Sequence, residues 1–281
     1  MTNIDKRVEE YLDKNIKFVN KAIESYLDKG DEYSLKNASN YAIFPDGHRY
    51  RSIICLELYE MLGGDKSNCI ESAVGIEFIH HASMTCDDLP CMDNSVMRKG
   101  KEAVHKKYGE ANAILSGLHS WNKGIQMINN NAVKHLDKTS SIKEINSLLY
   151  ETIVEMLEGQ ELDLREVKTK EKLLEAITKK NVIFNLACIL PCYLLNKKEH
   201  LESLDEVGRE LSIGYQLYDD LRDVEEDPNS NKNNAVYVFG QEAVLERLKI
   251  IKDTAIRNLR KIKPNSELEG VINIMLPDRQ T

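Results

Sequence analysis

Apolar residues recur at intervals of three and four positions along most of the chain, which is the pattern of amphipathic α-helices. In residues 4–28 the positions with this spacing are Val8, Tyr11, Leu12, Ile16, Val19 and Ile23. The same period returns in residues 66–86, 171–195 and 198–224. No stretch alternates apolar and polar residues convincingly, and no repeat is present. The pattern predicts an all-α fold in which residues 1–281 form a single domain.

A few local signals divide this helical pattern. Residues 45–47, Pro-Asp-Gly, predict a break, and residues 227–234 form a turn-rich loop. Ser141 and Glu144 have the spacing of a capping box, in which each side chain bonds to the other residue's backbone N–H. We therefore expect a helix to begin at Ser141.

Composition narrows the functional classes. The chain carries a net charge of −8 with 42% hydrophobic and 30% charged residues, so a basic surface for binding nucleic acid is not expected. No run of about eighteen apolar residues and no signal-peptide pattern is present, which predicts no membrane span. The six cysteines lack zinc-site spacing and are expected to be free thiols in a reducing compartment. These features predict a cytoplasmic protein.

Two acidic clusters are the candidate chemistry. The first contains Asp87, Asp88 and Asp93, and the second follows about 130 residues later. Its members are Asp219, Asp220 and Asp223. Three carboxylates so close together repel one another, unless they lie on a solvated face or bind a cation. Oxygen ligands that leave room for water and phosphate suit Mg²⁺. Two such clusters could hold a diphosphate from both sides, although each alone could be a charged helix end.

The two clusters differ in helical geometry. Asp219 and Asp223 are four residues apart and share a helix face. Asp87 and Asp93 are six residues apart, roughly 240° around a regular helix, so they could not reach the same ion from one. Pro90 disfavours regular helix between them. We expect the chain to break there and bring Asp93 back towards Asp87.

Basic residues accompany the clusters at three places: His48, Arg49 and Arg51, then Arg98 and Lys99, then Lys179 and Lys180. Arginine and lysine bind the diphosphate oxygens that Mg²⁺ leaves free, so this combination indicates a site that holds and activates a diphosphate leaving group. Gln160 and Asp163 lie on or beside the apolar stripe of their predicted helix. They are equally compatible with an ordinary buried polar pair.

Taken together, these motifs resemble the polyprenyl synthetase family, the trans-type isoprenyl diphosphate synthases that make farnesyl and geranylgeranyl diphosphate. The resemblance runs from about residue 40 to about residue 240. Its motifs in chain order are Asp46-Gly-His48-Arg49-Tyr-Arg51, His80, the first acidic cluster, Arg98-Lys99-Gly100, Gly159-Gln160-x-x-Asp163, Lys180-Asn181, and Gln216 with the second acidic cluster. The resemblance implies a bundle of helices around a central apolar cavity, and a homodimer.

The resemblance also implies roles for individual residues. It implies that about three Mg²⁺ ions are held by Asp87, Asp88, Asp93, Asp219 and Asp223. With Lys180 and Asp220 these residues would form the catalytic group. The residues implied to bind the allylic diphosphate are Arg98, Lys180 and Lys232, and Gln216 is implied as a further substrate-binding residue. Those implied to bind isopentenyl diphosphate are His48, Arg51, His80 and Lys99. An allylic cation would form, add to isopentenyl diphosphate and lose a proton.

Some positions depart from the family pattern, and they leave three alternatives. His48 replaces a lysine and Lys99 an arginine, which weakens the fixed charge for the second substrate. Asn181 replaces a threonine, and the loop after Asp223 lacks a Gly-Lys element. Besides chain elongation, the chain could therefore be a terpene synthase that uses one allylic diphosphate alone. It could also be a non-catalytic subunit or a peptide-prenylating relative.

Product length depends in this family on the residues four and five positions before the first acidic cluster. Here they are Ser83 and Ala82. Both are small, so the resemblance implies an open cavity floor and a product of twenty carbons or more, unless Phe78, Ile79 or neighbouring helices close it.

Overall fold

The structure, a computed structural model, describes residues 3–28, 35–44, 47–136, 139–165, 169–226 and 234–278. Within these ranges the chain folds almost entirely into helices, as the sequence predicts. The α-helices are α1 (Asn3–Ser25), α2 (Leu35–Ile43), α3 (Tyr50–Met61), α4 (Ile70–Asp87), α5 (Val104–Tyr108), α6 (Glu110–His135), α7 (Thr139–Asp163), α8 (Lys170–Lys180), α9 (Ile183–Leu194), α10 (Leu201–Glu226), α11 (Ala235–Phe239), α12 (Gln241–Ile262) and α13 (Ser266–Met275).

Helix α4 lies at the centre of the bundle and packs against α6 over most of its length. The two helices approach closely at Gly75 and Gly124, where a Cβ added to Gly75 would lie 2.7 Å from the Gly124 carbonyl oxygen. Larger residues at these positions would push the helices apart. The apolar α9 and the first half of α3 complete the core around Phe78 and Phe184, which are fully buried. This packing fixes the direction in which the C-terminus of α4, with the first acidic cluster, points.

The run predicted as one helix over residues 171–195 is two helices, α8 and α9, separated at Asn181 and Val182. The carbonyl of Asn181 accepts a hydrogen bond from the Ser212 hydroxyl at 2.9 Å, which removes it from a regular helical ladder. A Cβ on Gly159 would overlap the backbone of Lys180, so α7 also approaches this break closely. These long-range contacts produce a break that local periodicity does not reveal.

Two further local predictions are corrected. Helix α7 begins at Thr139, so Ser141 lies inside it and is not its N-cap. A short antiparallel hairpin, β1 (Met97–Arg98) and β2 (Lys101–Glu102), lies where no strand was expected. Strands of two residues are too short to show alternation. Lys99 and Gly100 both have positive φ in the turn, and such turns are typical of tight hairpins.

The six cysteines are free thiols, as predicted, and only Cys91 is exposed. Among the helices that the structure describes, none combines the length and the apolar character needed to cross a bilayer.

Candidate active site

The first acidic cluster lies where α4 ends. The helix stops at Asp87, and the backbone N–H of Asp93 donates a hydrogen bond to the Asp87 carbonyl oxygen at 2.9 Å. The chain therefore turns back after Pro90, as its sequence predicts. This turn removes the angular separation that a regular helix would impose on Asp87 and Asp93.

Asp88 has a different environment from its neighbour. The Arg98 guanidinium donates to both of its carboxylate oxygens, with Nε at 3.0 Å from Oδ1 and 3.2 Å from Oδ2, and Nη2 also bonds to Oδ1. Asp88 is only 2% exposed. This ion pair ties the β1–β2 hairpin to the end of α4, so Arg98 and Lys99 stay beside the acidic cluster.

Lys180 at the end of α8 is the cation nearest to Asp87. Its Nζ lies 2.6 Å from Asp163 Oδ2 on α7 and 4.0 Å from Asp87 Oδ2 on α4. Burial raises the pKa of Asp87 to about 6, although Lys180 opposes the shift and Asp93 adds to it. Burial disfavours the charge of Lys180, but Asp87 and Asp163 outweigh it and raise the pKa of this amine. The negative charge therefore exceeds the positive charge here, and the site can accept a further cation.

Gln160 lies one turn before Asp163 on α7. Both atoms of its side-chain amide are buried, and neither has a hydrogen-bond partner among the described residues. Residues three apart share a helix face, so Gln160 lies on the side of α7 that bonds to Lys180. An unsatisfied amide of this kind is expected where a bound ligand completes the bonding.

The second acidic cluster lies on α10 as two pairs spaced by four residues. Asp219 and Asp223 form the first pair, and Gln216 and Asp220 form the second on a neighbouring face. Asp219 accepts a hydrogen bond from Arg222 Nη2 at 2.7 Å and remains partly exposed. The pair predicted from the helical period is therefore present.

Asp220 is bound inside the fold. Its Oδ1 accepts from Gln216 Nε2 at 2.8 Å, and its Oδ2 accepts from the backbone N–H of Ala235 at 2.7 Å. Burial raises the pKa of Asp220 to about 6. The side-chain oxygen of Gln216 in turn accepts from Asn181 Nδ2 at 3.1 Å. Asn181 and Gln216 thus connect the break after Lys180 to the second acidic cluster.

Arg51, on the first turn of α3, lies between two aromatic rings. Its guanidinium carbon is 4.0 Å from the centroid of Phe184 and 5.4 Å from that of Tyr215. Its Nη1 lies 3.3 Å from His80 Nε2, so this nitrogen of the imidazole is the acceptor. Burial, reinforced by Arg51, holds the pKa of His80 well below its ordinary value. Arg51 is therefore the fixed charge of this pair, and His80 is neutral.

His48 and Lys99 lie on the same side of the site. The His48 ring stacks on Tyr50 with centroids 5.0 Å apart. Partial burial, Lys99 and Arg222 all lower the pKa of His48. Lys99 comes close to Gly47, because a Cβ on that glycine would lie 2.7 Å from its Nζ. The residues predicted to bind the second substrate are thus brought together near the second acidic cluster.

His81 was not singled out from the sequence, but the structure places it beside this group. Its Nδ1 donates to the Glu77 carbonyl oxygen at 2.8 Å, and its Nε2 lies 3.4 Å from Arg49 Nη1. Burial lowers the pKa of His81 to about 3, with Arg49 and Lys99 adding to the shift and Glu77 opposing it. No local motif signals this environment, because Arg49 and Lys99 lie outside α4 and approach His81 only in the folded chain.

We expect His81 to make the fold sensitive to acid. The unfolded chain takes up its proton near the ordinary pKa of about 6.5, whereas the folded protein does so only near pH 3, so stability falls as pH drops below 6.5. The cost reaches about 2 kcal/mol at pH 5. In His81→Gln the loss of melting temperature between pH 7 and pH 5 should shrink, but not vanish, because His80 also titrates. The control variant His200→Gln should keep the wild-type dependence of melting temperature on pH. If His81→Gln also kept it, His81 would not be a source of the acid sensitivity.

Comparison with known proteins identifies the family to which these motifs belong. The polyprenyl synthetase profile matches residues 32–236, which include both acidic clusters and the basic residues around them. The chain belongs to the polyprenyl synthetase family. It is 32% identical over 196 residues to geranylgeranyl diphosphate synthase of Methanosarcina mazei, covering 68% of this chain and 59% of that one. It is 28% identical over 267 residues to farnesyl diphosphate synthase of Micrococcus luteus, covering 86% and 88%.

Solved structures of similar proteins show the same fold. A geranyltransferase from Legionella pneumophila superposes with a TM-score of 0.84 at 23% identity and covers 98% of both chains. A geranylgeranyl pyrophosphate synthetase from Geoglobus acetivorans gives a TM-score of 0.82 at 24% identity, covering 95% of this chain and 99% of that one. The chain nevertheless spans only about three fifths of the length of the first curated relatives that it matches.

The two residues predicted to set product length do not occupy equivalent positions. Ser83 shares the face of α4 that carries His80 and Asp87, because these residues are three and four apart. Ala82 is rotated roughly 140° from Asp87 and is completely buried, with its carbonyl oxygen near Gly117 of α6. Asp46 and Lys232 lie outside the described residues.

The carboxylates of this site fit Mg²⁺ as pairs. In the part of the chain that the structure describes, no three Asp, Glu, His or Cys side chains converge closely enough to enclose an ion. Mg²⁺ at phosphate sites takes one or two carboxylates and completes its shell with water and phosphate oxygens. Asp87 with Asp93, and Asp219 with Asp223, are suitable carboxylate pairs. The carboxylate of Asp88, in contrast, is bound by Arg98.

Proposed function

We propose that this protein is a Mg²⁺-dependent short-chain trans-prenyltransferase. It condenses isopentenyl diphosphate with an allylic diphosphate to give farnesyl or geranylgeranyl diphosphate. The observation that carries the proposal is the position of Lys180 between the two acidic clusters. Its Nζ bonds to Asp163 and lies 4.0 Å from Asp87. The next residue, Asn181, bonds to Gln216, which in turn bonds to the second cluster. A cation held between carboxylates is suited to exchange one of them for a diphosphate oxygen.

The allylic diphosphate would occupy the acidic side of the site. About three Mg²⁺ ions would neutralise the charge of the leaving diphosphate. They would be held by Asp87, Asp93, Asp219 and Asp223. Asp88 would become a further ligand if Arg98 released it. Lys180 and Arg98 would bind its remaining oxygens, with Lys232 as a further contact from the sequence resemblance. Gln160 would donate to the same ligand.

The second substrate would occupy the basic side. Arg51 and Lys99 supply the charge for its diphosphate, and His48 and His80 supply neutral hydrogen-bond donors. The double bond of isopentenyl diphosphate then forms a carbon–carbon bond with C1 of the allylic cation, whose bond to the diphosphate oxygen has broken. The product cation loses a proton from C2 to the released pyrophosphate. The aromatic walls beside Arg51 exclude water from the cation.

A terpene synthase that uses the allylic diphosphate alone is the second candidate. It is favoured by the weak charge on the basic side, because His48 has a lowered pKa and Arg49 is fully engaged within the protein. Retention of Arg51 and His80 favours the synthase, and the retained aspartates argue against a non-catalytic subunit. A peptide-prenylating relative would use the same acidic side with a different acceptor.

A product assay separates these candidates. Purified protein with Mg²⁺ is given dimethylallyl, geranyl, farnesyl or geranylgeranyl diphosphate, each with and without isopentenyl diphosphate. We expect longer diphosphates only when isopentenyl diphosphate is present. Hydrocarbons or alcohols formed without it would overturn elongation and establish the terpene synthase. No consumption of any allylic diphosphate would overturn both.

Chain length gives a sharper prediction at the cavity floor. Ser83 shares the face of Asp87, so Ser83→Phe should block the growing chain and shorten the product by one or more isoprene units. Ala82→Phe should also shorten it, but with loss of stability, because Ala82 is completely buried and a larger side chain overpacks the contact with α6. Product lengths are measured by mass spectrometry after phosphatase treatment. An unchanged product distribution in folded Ser83→Phe would refute the floor.

The homodimer is proposed from the resemblance and from an apolar patch on α6. Ile114, Leu115 and Leu118 are each about half exposed. Leu118→Lys should raise the monomer fraction in light scattering, because a buried unpaired charge opposes association. Ile250→Lys, on α12, is the matched control and should leave the mass unchanged. Equal masses for all three proteins would place the interface elsewhere. A cytoplasmic location is proposed on the sequence features alone.

A further inference from the structure

Arg49 lies in sequence between His48 and Arg51, two side chains proposed to bind the second diphosphate, yet its own side chain points into the protein. Its side chain is completely buried, and its partner Glu77 on α4 is 3% exposed. A buried arginine with a buried carboxylate is costly to break, because either partner left alone is an uncompensated charge. The pair is therefore expected to hold the backbone firmly next to His48 and Arg51.

Arg49 connects three helices. Its Nε donates to Asn20 Oδ1 of α1 at 2.9 Å, and its Nη2 donates to the carbonyl oxygen of Ile43, the last residue of α2, at 2.9 Å. Its Nη1 donates to Glu77 Oε2 at 3.1 Å. All three nitrogens are thus engaged, so this guanidinium is not available to a substrate.

Glu77 holds the first turn of α3 at a second point. Its Oε1 accepts from the Ser52 hydroxyl at 2.8 Å, while Oε2 accepts from Arg49. Arg51 lies between these two anchored residues. His80 follows Glu77 by three residues on α4. By holding α3 against α4, the Glu77 carboxylate therefore also sets the position of Arg51 relative to His80. Arg49 has a φ of +52°, a backbone conformation that needs such anchoring.

We infer that Arg49 and Glu77 are a positioning pair that sets the affinity of the proposed isopentenyl diphosphate site. The inference rests on the proposed function for the identity of that ligand. Without the carboxylate, the N-terminus of α3 loses two anchors and His48 and Arg51 no longer converge with His80. The allylic side, whose residues lie at the C-terminal end of α4, on the hairpin and on α7, α8 and α10, keeps its own contacts.

Glu77→Gln is the test, and the chain offers a matched control on α3. Glu57 is also a buried carboxylate, bonded by Lys66 Nζ at 2.6 Å and by the Tyr11 hydroxyl. Glu57→Gln therefore removes a buried carboxylate charge from an ion pair of the same kind, away from the proposed site, and keeps an oxygen that can accept from the hydroxyl. Both variants should lower the melting temperature by similar amounts, so a difference in substrate affinity between them cannot be due to stability.

Steady-state kinetics are measured with each substrate varied in turn, and the Kd of isopentenyl diphosphate by calorimetry. Glu77→Gln should raise the KM and the Kd for isopentenyl diphosphate about tenfold, the size of effect that loss of a supporting contact has at metal sites, and change the allylic KM less than twofold. Glu57→Gln should change neither. If circular dichroism shows that Glu77→Gln is unfolded, Arg49→Lys is tested instead. This variant keeps the positive charge but cannot bond to all three partners of the guanidinium, and the same changes in KM and Kd are expected.

An unchanged Kd in the folded variant, or an equal rise in Glu57→Gln, would overturn the positioning pair while leaving the proposed function intact. If the wild-type protein binds isopentenyl diphosphate but does not elongate any allylic diphosphate, the proposed elongation activity is overturned. The Kd values of Glu77→Gln and Glu57→Gln would still decide the inference about the positioning pair. Absence of both binding and elongation in the wild type would overturn both.

Discussion

Asp87→Ala and Asp219→Ala are each expected to lower kcat/KM by on the order of 10³-fold. Each removes one carboxylate of a pair proposed to hold Mg²⁺ against the diphosphate. That charge stabilises the leaving group as its bond breaks, so the loss falls on the transition state and should appear in kcat. The measurement is the rate of product formation from labelled isopentenyl diphosphate over a range of Mg²⁺ concentrations.

The control for this prediction lies on the same helix as Asp219. Asp205 of α10 accepts hydrogen bonds from Asn185 and Arg209 at 3.0 Å and is partly exposed, away from the proposed site. Asp205→Ala should keep nearly the wild-type rate. Retained helical circular dichroism in all three variants shows that the loss is not unfolding. Near-normal rates in both cluster variants would end the catalytic interpretation.

Helical periodicity predicts part of this site well. Asp219 and Asp223 are four residues apart on an uninterrupted helix, and the structure keeps them on one face. Pro90 correctly predicts the turn that returns the chain to Asp87. In both cases the deciding signal is local, because it depends on backbone geometry over fewer than eight residues.

Sequence does not distinguish the two members of each Asp-Asp pair, whereas the structure does. Adjacent residues on a helix are rotated by about 100°, so the two carboxylates of each pair have different surroundings. Asp88 turns to Arg98, and Asp220 turns to the backbone of Ala235. Arg98 and Ala235 lie at least ten residues away in sequence, and identical neighbouring aspartates carry no signal for which one turns inwards.

The break after Lys180 and the pair of Arg49 with Glu77 were also missed, for the same reason. The apolar period continues across Asn181, and the break is explained by contacts from Ser212 of α10 and Gly159 of α7, which are distant in sequence. Arg49 appears in the sequence as one more basic residue of a substrate-binding motif. Its engagement becomes visible only when α1, α2 and α4 are packed around it.

Lys180→Met is expected to lower kcat/KM about 10²-fold, with a raised KM for the allylic diphosphate. The substitution leaves Asp87 and Asp163 without their common cation. Asp87 already has a pKa of about 6 because it is buried, and without Lys180 that pKa rises further. Less of the carboxylate is then ionised to bind Mg²⁺, and the diphosphate also loses a direct contact.

Lys179→Met is the matched control for the contribution of the Lys180 amine. Lys179 is the preceding residue on α8, but it bonds to Glu158 at 2.9 Å and to Glu175 at 3.2 Å on the outside of the bundle. Because exposed pairs of this kind contribute little, its removal should change kcat/KM less than about twofold. Lys180→Arg should retain more activity than Lys180→Met, because it keeps the charge. If Lys180→Met behaved like Lys179→Met, the amine would only hold α7, α8 and α4 together, and the diphosphate would have to bind without it.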